Sequence, residues 1–236
     1  MPTTHPPLSL PAVLFAHRGA GAHAPGNTLE AFALAVRLGA TGLEGDVWAS
    51  ADGVAVLDDD GVVGARVRRR RIADLAQSDL PPEVPSIAQL YESCGTDRDL
   101  SVEIHDDRAL TAVLAAAEAA GAGARLWLRH PDLEVLASWR TVVGPARLVH
   151  ATTVSSMPRG SEAHAARLRE LGVDAVSLHH SEWSAGSVAL YHRFGRYCLG
   201  RDAQHPRIIR ALLDMGIDGV SGDHVDRLVD SAAELA

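Results

Sequence analysis

The stretch Ala12–Val47, AVLFAHRGAGAHAPGNTLEAFALAVRLGATGLEGDV, reads as a strand, a helix and a second strand. AVLFAH is a short apolar run. NTLEAFALAVRLG carries apolar residues at helical spacing, opens on Asn-Thr and stops at glycine, and TGLEGDV is apolar again. Such a β-α-β unit pairs its two strands in parallel. The unit recurs. Strand candidates follow at LSVEIH, RLWLRH, RLVHAT, DAVSLHH, RYCLGR and DGVSGD, with helix-like stretches such as SIAQLYESCG, RALTAVLAAAEAAG, EAHAARLRELG and PRIIRALLDMG between them. Eight such strands in 236 residues predict an α/β fold, a (β/α)8 TIM barrel, as a single domain over residues 1–236. No Gly-x-Gly-x-x-Gly turn follows the first strand, as an open dinucleotide-binding sheet would need. A small excursion after the second strand, DGVAVLDDD and the arginine-rich segment up to Pro85, is expected above the barrel mouth.

With 47% apolar side chains the chain can fill one core. A formal charge of −8 argues against a nucleic-acid binder, which needs a basic face. The basic run RVRRRR (66–71) reads as a solvated loop or helix start. Cys94 and Cys198 have no paired spacing and are expected as buried free thiols. MPTTHPPLSLPAVLF lacks a basic start and a long apolar core, and no stretch approaches about 18 uncharged apolar residues. The expectation is a soluble cytoplasmic protein without stable membrane insertion.

In a parallel barrel the chemistry sits at the C-terminal strand ends. Here those ends are polar: His17 and Arg18, Glu44 and Asp46, Glu103 and His105, Arg129 and His130, His179 and His180, Arg201, and Asp223. Glu44 and Asp46 are two apart and share a face, with Glu103 on the adjacent strand. Three carboxylates on one rim repel unless a cation joins them, and oxygen-only ligands suit Ca²⁺ or Mg²⁺. The alternative is that one or two of them pair with Arg18 or another basic rim residue. Strand alternation sets His179 and His180 on opposite faces, which argues against one shared ion. His130, His150 and His205 read as hydrogen-bonded rim or loop residues, and Trp127 and Trp183 as packing residues.

HRGAGAHAPGNTLEAF, GATGLEGDV, ADGVAVLDDD, LSVEIH and MGIDGVSGD resemble, in order and spacing, the glycerophosphodiester phosphodiesterase family. The resemblance implies a (β/α)8 barrel that uses a divalent cation, Ca²⁺ or Mg²⁺, to hydrolyse a small glycerophosphodiester to glycerol 3-phosphate and an alcohol. It implies His17 as one of two proton-transfer groups, Arg18 as the partner of the substrate phosphate, and Glu44, Asp46 and Glu103 as metal ligands. The family's second catalytic histidine falls at Asp59, where crowding by Asp58 and Asp60 is expected to keep a proton available for the leaving alcohol. Three further positions depart from the pattern. Gly26 replaces a glutamate, His105 a substrate-side lysine and Arg201 a pocket tryptophan. His105 shares the inward face with Glu103 and is a second candidate for the missing imidazole. Two readings follow: a slow metal-dependent phosphodiesterase, or an impaired barrel that binds phosphodiester or metal in a regulatory role.

Overall fold

The computed structural model describes residue 8 and residues 11–65 and 68–235. The remaining residues of the 1–236 domain expectation, including Arg66 and Val67 of the basic run, lie outside the described residues. The strands are β1 (Val13–His17), β2 (Gly42–Ala49), β3 (Ala55–Leu57), β4 (Val62–Val63), β5 (Arg70–Arg71), β6 (Asp99–Ile104), β7 (Leu126–His130), β8 (Arg147–Ala151), β9 (Ala175–His179), β10 (Tyr197–Arg201) and β11 (Gly219–Gly222). The helices are α1 (Leu29–Arg37), α2 (Ile87–Cys94), α3 (Leu110–Ala119), α4 (Leu133–Trp139), α5 (Gly160–Leu171), α6 (Ala185–Arg193), α7 (Pro206–Asp214) and α8 (Val225–Ala233).

Each expected strand is present, as β1, β2 and β6 to β11. They run parallel in the order β1-β11-β10-β9-β8-β7-β6-β2, and β1 pairs with β2 to close the (β/α)8 barrel. Local chemistry starts and stops the elements. Thr28 Oγ1 accepts from Ala31 N at 3.2 Å to cap α1, and Ser86 with Gln89 forms a capping box on α2.

The barrel interior is plugged by Val13, Phe15, Trp127, Val149, Ala175 and Leu199, a cluster separate from the larger one between strands and helices. Phe15 meets Trp127 edge-on with ring centroids 5.9 Å apart. Gly42 and Gly219 leave the space that Phe15 fills: a Cβ at Gly42 would stand 2.6 Å from Phe15 Cδ1, and one at Gly219 3.0 Å from Phe15 Cε2. Because strand faces alternate, the residue two beyond each plug residue also points inward. His17 therefore follows Phe15, Arg129 follows Trp127 and Arg201 follows Leu199.

The excursion begins with β3, antiparallel to β2, and continues as the ribbon β4–β5 with 3-10 turns behind it. Arg70 and Arg71 are exposed, solvated as expected, but as a short strand rather than a loop or helix start. Cys94 and Cys198 are buried and free. No helix among the described residues is long and apolar enough to cross a membrane.

Candidate functional site

At the C-terminal mouth of the barrel, a cavity of about 390 Å³ is lined by His17, Arg18, Glu44, Asp46, Asp59, Glu103 and His105, all nominated from the sequence. Arg129, His179, Arg201, Asp202, Ser221 and Asp223 complete it. Backbone register sets up much of the arrangement. His17 is the Cα partner of Glu44, Asp46 of Glu103, and Glu103 of Arg129.

After His17 the chain must turn sharply. Arg18 adopts left-handed backbone at φ 54°, its N–H donating to Glu44 O at 2.6 Å, and Asn27 closes the turn at φ 59° by donating to Arg18 O. The third non-glycine residue with positive φ among the described residues is Asp202, at 61°. Two of the three line the cavity and the third binds Asp46, so local strain is concentrated at this mouth.

His17 Nδ1 meets Asp223 Oδ1 at 2.8 Å, leaving Nε2 toward the cavity. Burial works against its charged form, but the Asp223 hydrogen bond and the charges of Glu44 and Asp223 outweigh that, and the His17 pKa is raised. Asp223 is held below the ordinary carboxylate range, chiefly by the same hydrogen bond. Gln204 fixes Asp223 by donating from Nε2 to Oδ2 at 2.7 Å and accepting from Asp223 N at 3.1 Å. His105 forms a second such pair, with Nε2 3.1 Å from Asp46 Oδ1 and its ring stacked on Trp48 at 4.9 Å. The Asp46 hydrogen bond raises the His105 pKa against a smaller burial effect.

Asp46 is crowded with donors. Asn27 Nδ2 donates to it at 3.1 Å and Arg18 Nε lies 2.9 Å away. Burial pushes its pKa up, yet the hydrogen bonds from His105 and Asn27 and the charge of Arg18 bring the net shift down. Glu44 is 8% exposed in its side chain and pairs with Arg129, itself 6% exposed, at 2.6 Å. Arg129 reaches Glu103 at 3.4 Å with its other terminal nitrogen. The three carboxylates thus have the donor chemistry of a hard cation site, but each has a cationic partner within the chain and a guanidinium bridges two of them. The trio as placed does not fit a divalent ion unless Arg129 withdraws.

Other sets among the described residues bring possible ligand atoms within 4.8 Å of one another: His23, His224 and Asp226; His179, His180 and Asp202; and the buried His192, Cys198 and Asp218. The second set corrects the expectation for His179 and His180. Their rings lie 4.2 Å apart because β9 ends at His179 and His180 opens a 3-10 turn, which cancels strand alternation.

Asp59 meets Arg18 at 2.6 Å and is 63% exposed. The expected crowding around it is absent, since Asp60 turns to Arg69 and Asp58 accepts from Gly61 N at 2.8 Å. The sequence marks Asp223, Arg129 and Arg201 as polar strand ends without giving them a role, and Gln204 is not marked at all. The inward phase of the first three was readable; Gln204 lies in a loop and left no signal. Arg201 donates to Thr152 O at 3.1 Å and is absent from the ion pairs formed among the described residues. Its charge is thus available in the cavity.

The chain is 27% identical over 240 residues to the Mycobacterium tuberculosis protein named probable glycerophosphodiester phosphodiesterase 2, covering 92% of this chain and 89% of the relative. The crystal structure of a Thermotoga maritima glycerophosphodiester phosphodiesterase shares the fold with TM-score 0.80 and 23% identity, over 93% of this chain and 97% of that one. An Oleispira antarctica phosphodiesterase, solved in complex with the product sn-glycerol-3-phosphate, has TM-score 0.79 and 19% identity over 94% of this chain and 96% of its own. Residues 17–90, the span that carries His17, Arg18, Glu44, Asp46 and Asp59, match the model of the glycerophosphoryl diester phosphodiesterase family.

Proposed function

We propose that the protein is a glycerophosphodiester phosphodiesterase that releases glycerol 3-phosphate and an alcohol. The observation that carries this reading is the convergence of the nominated histidines, arginine and carboxylates on one cavity at the barrel mouth. The matched family segment and the product named for the Oleispira structure support it.

In this reading Arg201 and Arg18 receive the phosphate oxygens, Arg18 being held between Asp46 and Asp59. His17, oriented through Nδ1 by Asp223, takes the proton of a glycerol hydroxyl at Nε2. The hydroxyl oxygen bonds to phosphorus and the P–O bond to the alcohol breaks. A second group returns a proton to the departing oxygen. His105 fits that task better than Asp59, because Asp46 orients its Nε2 while Nδ1 has no hydrogen-bond partner among the described residues. Asp59 instead pairs with Arg18 and positions it. Water then opens the cyclic phosphodiester with the two proton transfers reversed. The cation site expected from the sequence, Glu44, Asp46 and Glu103, holds the Arg129 guanidinium against two of its three carboxylates, and no step of this reading is routed through a metal.

The test is glycerol 3-phosphate release from a panel of glycerophosphodiesters. His17→Ala and His105→Ala are each expected to lose about 10²–10⁴-fold in kcat, the usual worth of a placed proton-transfer group, and Asp59→Ala is expected to raise KM. Undetectable release by the unaltered protein, with product still bound, would favour the binding role instead.

A further inference from the structure

We propose that Arg129 is a built-in cation: its guanidinium neutralises Glu44 and Glu103, so that the cavity works without a divalent metal. This rests on the reading of the cavity as a phosphodiester site, but its central test does not.

The placement of Arg129 is dictated by the strand. In LWLRH, Leu126 and Leu128 are fully buried against the helices, and Trp127 occupies the barrel plug. Alternation then turns Arg129 inward with the phase of Trp127. The Cα register puts it beside Glu103, which is itself beside Asp46. A 6% exposed guanidinium has no route to solvent without unpicking this register, and the carboxylates of Glu44 and Glu103 are the acidic groups it pairs with. Removing its partners leaves a buried unpaired charge, which proteins tolerate poorly.

The rest of the cavity is balanced in the same way. Six carboxylates face three guanidinium groups and three imidazoles. Asp46 and Asp59 share Arg18, Asp46 and Asp223 each hold a histidine, and Asp202 holds His179. A Ca²⁺ or Mg²⁺ ion entering among Glu44, Asp46 and Glu103 must displace Arg129 and meets its charge if Arg129 stays near. Arg129 Nε is buried without a hydrogen-bond partner among the described residues, so the two terminal nitrogens carry its pairings. In this arrangement Arg129 is a positioning residue that holds the two glutamates as a neutral, preorganised floor.

The experiment titrates chelator-treated full-length protein with CaCl₂ and MgCl₂ by calorimetry and by thermal shift, alongside Arg129→Met, Arg129→Lys and Glu44→Gln. The unaltered protein and Arg129→Lys are expected to show no saturable binding through the millimolar range and no cation-dependent rise in Tm. Arg129→Met frees Glu44 and Glu103 and is expected to bind at least about tenfold more tightly, with its Tm recovering on addition of either cation. Should Arg129→Met not fold, the titration of the unaltered protein still decides. Saturable Ca²⁺ or Mg²⁺ binding by that protein, weakened in Glu44→Gln, would overturn the proposal. In the hydrolysis assay, turnover that persists in EDTA supports it and turnover restored only by a cation overturns it. Absence of turnover under every condition counts against the proposed reaction alone.

Discussion

Asp58, Asp59 and Asp60 are consecutive, yet each is drawn to a different partner, and only Asp59 reaches the cavity. Asp58 accepts from the backbone of Asp60 and Gly61, where burial raises its pKa, and Asp60 pairs with Arg69 of the excursion. A histidine at 59 would lose the Arg18 contact that the aspartate makes at 2.6 Å. Asp59→His is therefore expected to loosen phosphate binding as well as to add an imidazole, and the balance of KM and kcat in steady-state kinetics reports which effect dominates. For His17 the sign is fixed by Asp223. Its hydrogen bond is the largest upward influence on the His17 pKa, so Asp223→Asn should move the acid limb of the kcat/KM profile to lower pH while reducing its plateau. An acid limb that stays in place would mean that His17 is not the group titrating. Residue types at strand ends made most of this site legible in the sequence. What stayed hidden is who pairs with whom, because Glu44–Arg129 and His17–Asp223 are contacts between distant strands that no local pattern encodes.

The strands were readable because eight short apolar runs alternate with helical patterns. The helices α4, α6 and α8 were less so, and α4 spans only 7 residues, two turns in which periodicity has little room to declare itself. The interior packing carries a clear expectation. Gly42→Ala would drive a methyl to 2.6 Å from the Phe15 ring, in a plug closed by Trp127, and overpacking of that kind costs about 1–3 kcal/mol. A lower urea midpoint at unchanged m-value would register it. Helix α5 contributes a different sensitivity. His164 on α5 links His150 on β8, at 2.9 Å, to the Tyr191 hydroxyl on α6, at 2.8 Å. Burial and the neighbouring His150 push the His164 pKa down to about 4. In the unfolded chain it titrates near its ordinary value, so between roughly pH 6.5 and 4 the unfolded state binds the extra proton and stability falls as pH falls, by on the order of 3 kcal/mol in full. His17 and His105, with raised values, work in the opposite direction: the stability each adds is complete below the ordinary imidazole pKa and fades as pH rises through its folded value. Comparing denaturation curves of the unaltered protein and His164→Asn at pH 7 and pH 5 isolates the first effect. A pH slope identical in both would remove His164 as its source.

At the scale of the molecule, ring closure is the decisive feature. Strand β1 is held on one side by β2 and on the other by β11, and the pair that orients the proposed base, His17 with Asp223, spans 206 positions of sequence. Most of the other cavity contacts are nearer in sequence, such as Arg18 with Asp46 and Asp59 or His105 with Asp46. The chain emerging from a ribosome therefore carries its proposed base and phosphate arginine from the outset, but has nothing to aim the imidazole until the segment bearing Asp223 has been translated and the ring has shut. Competence would arise late, and a truncated product that lacks the segment bearing Asp223 would hold an imidazole with nothing to aim it.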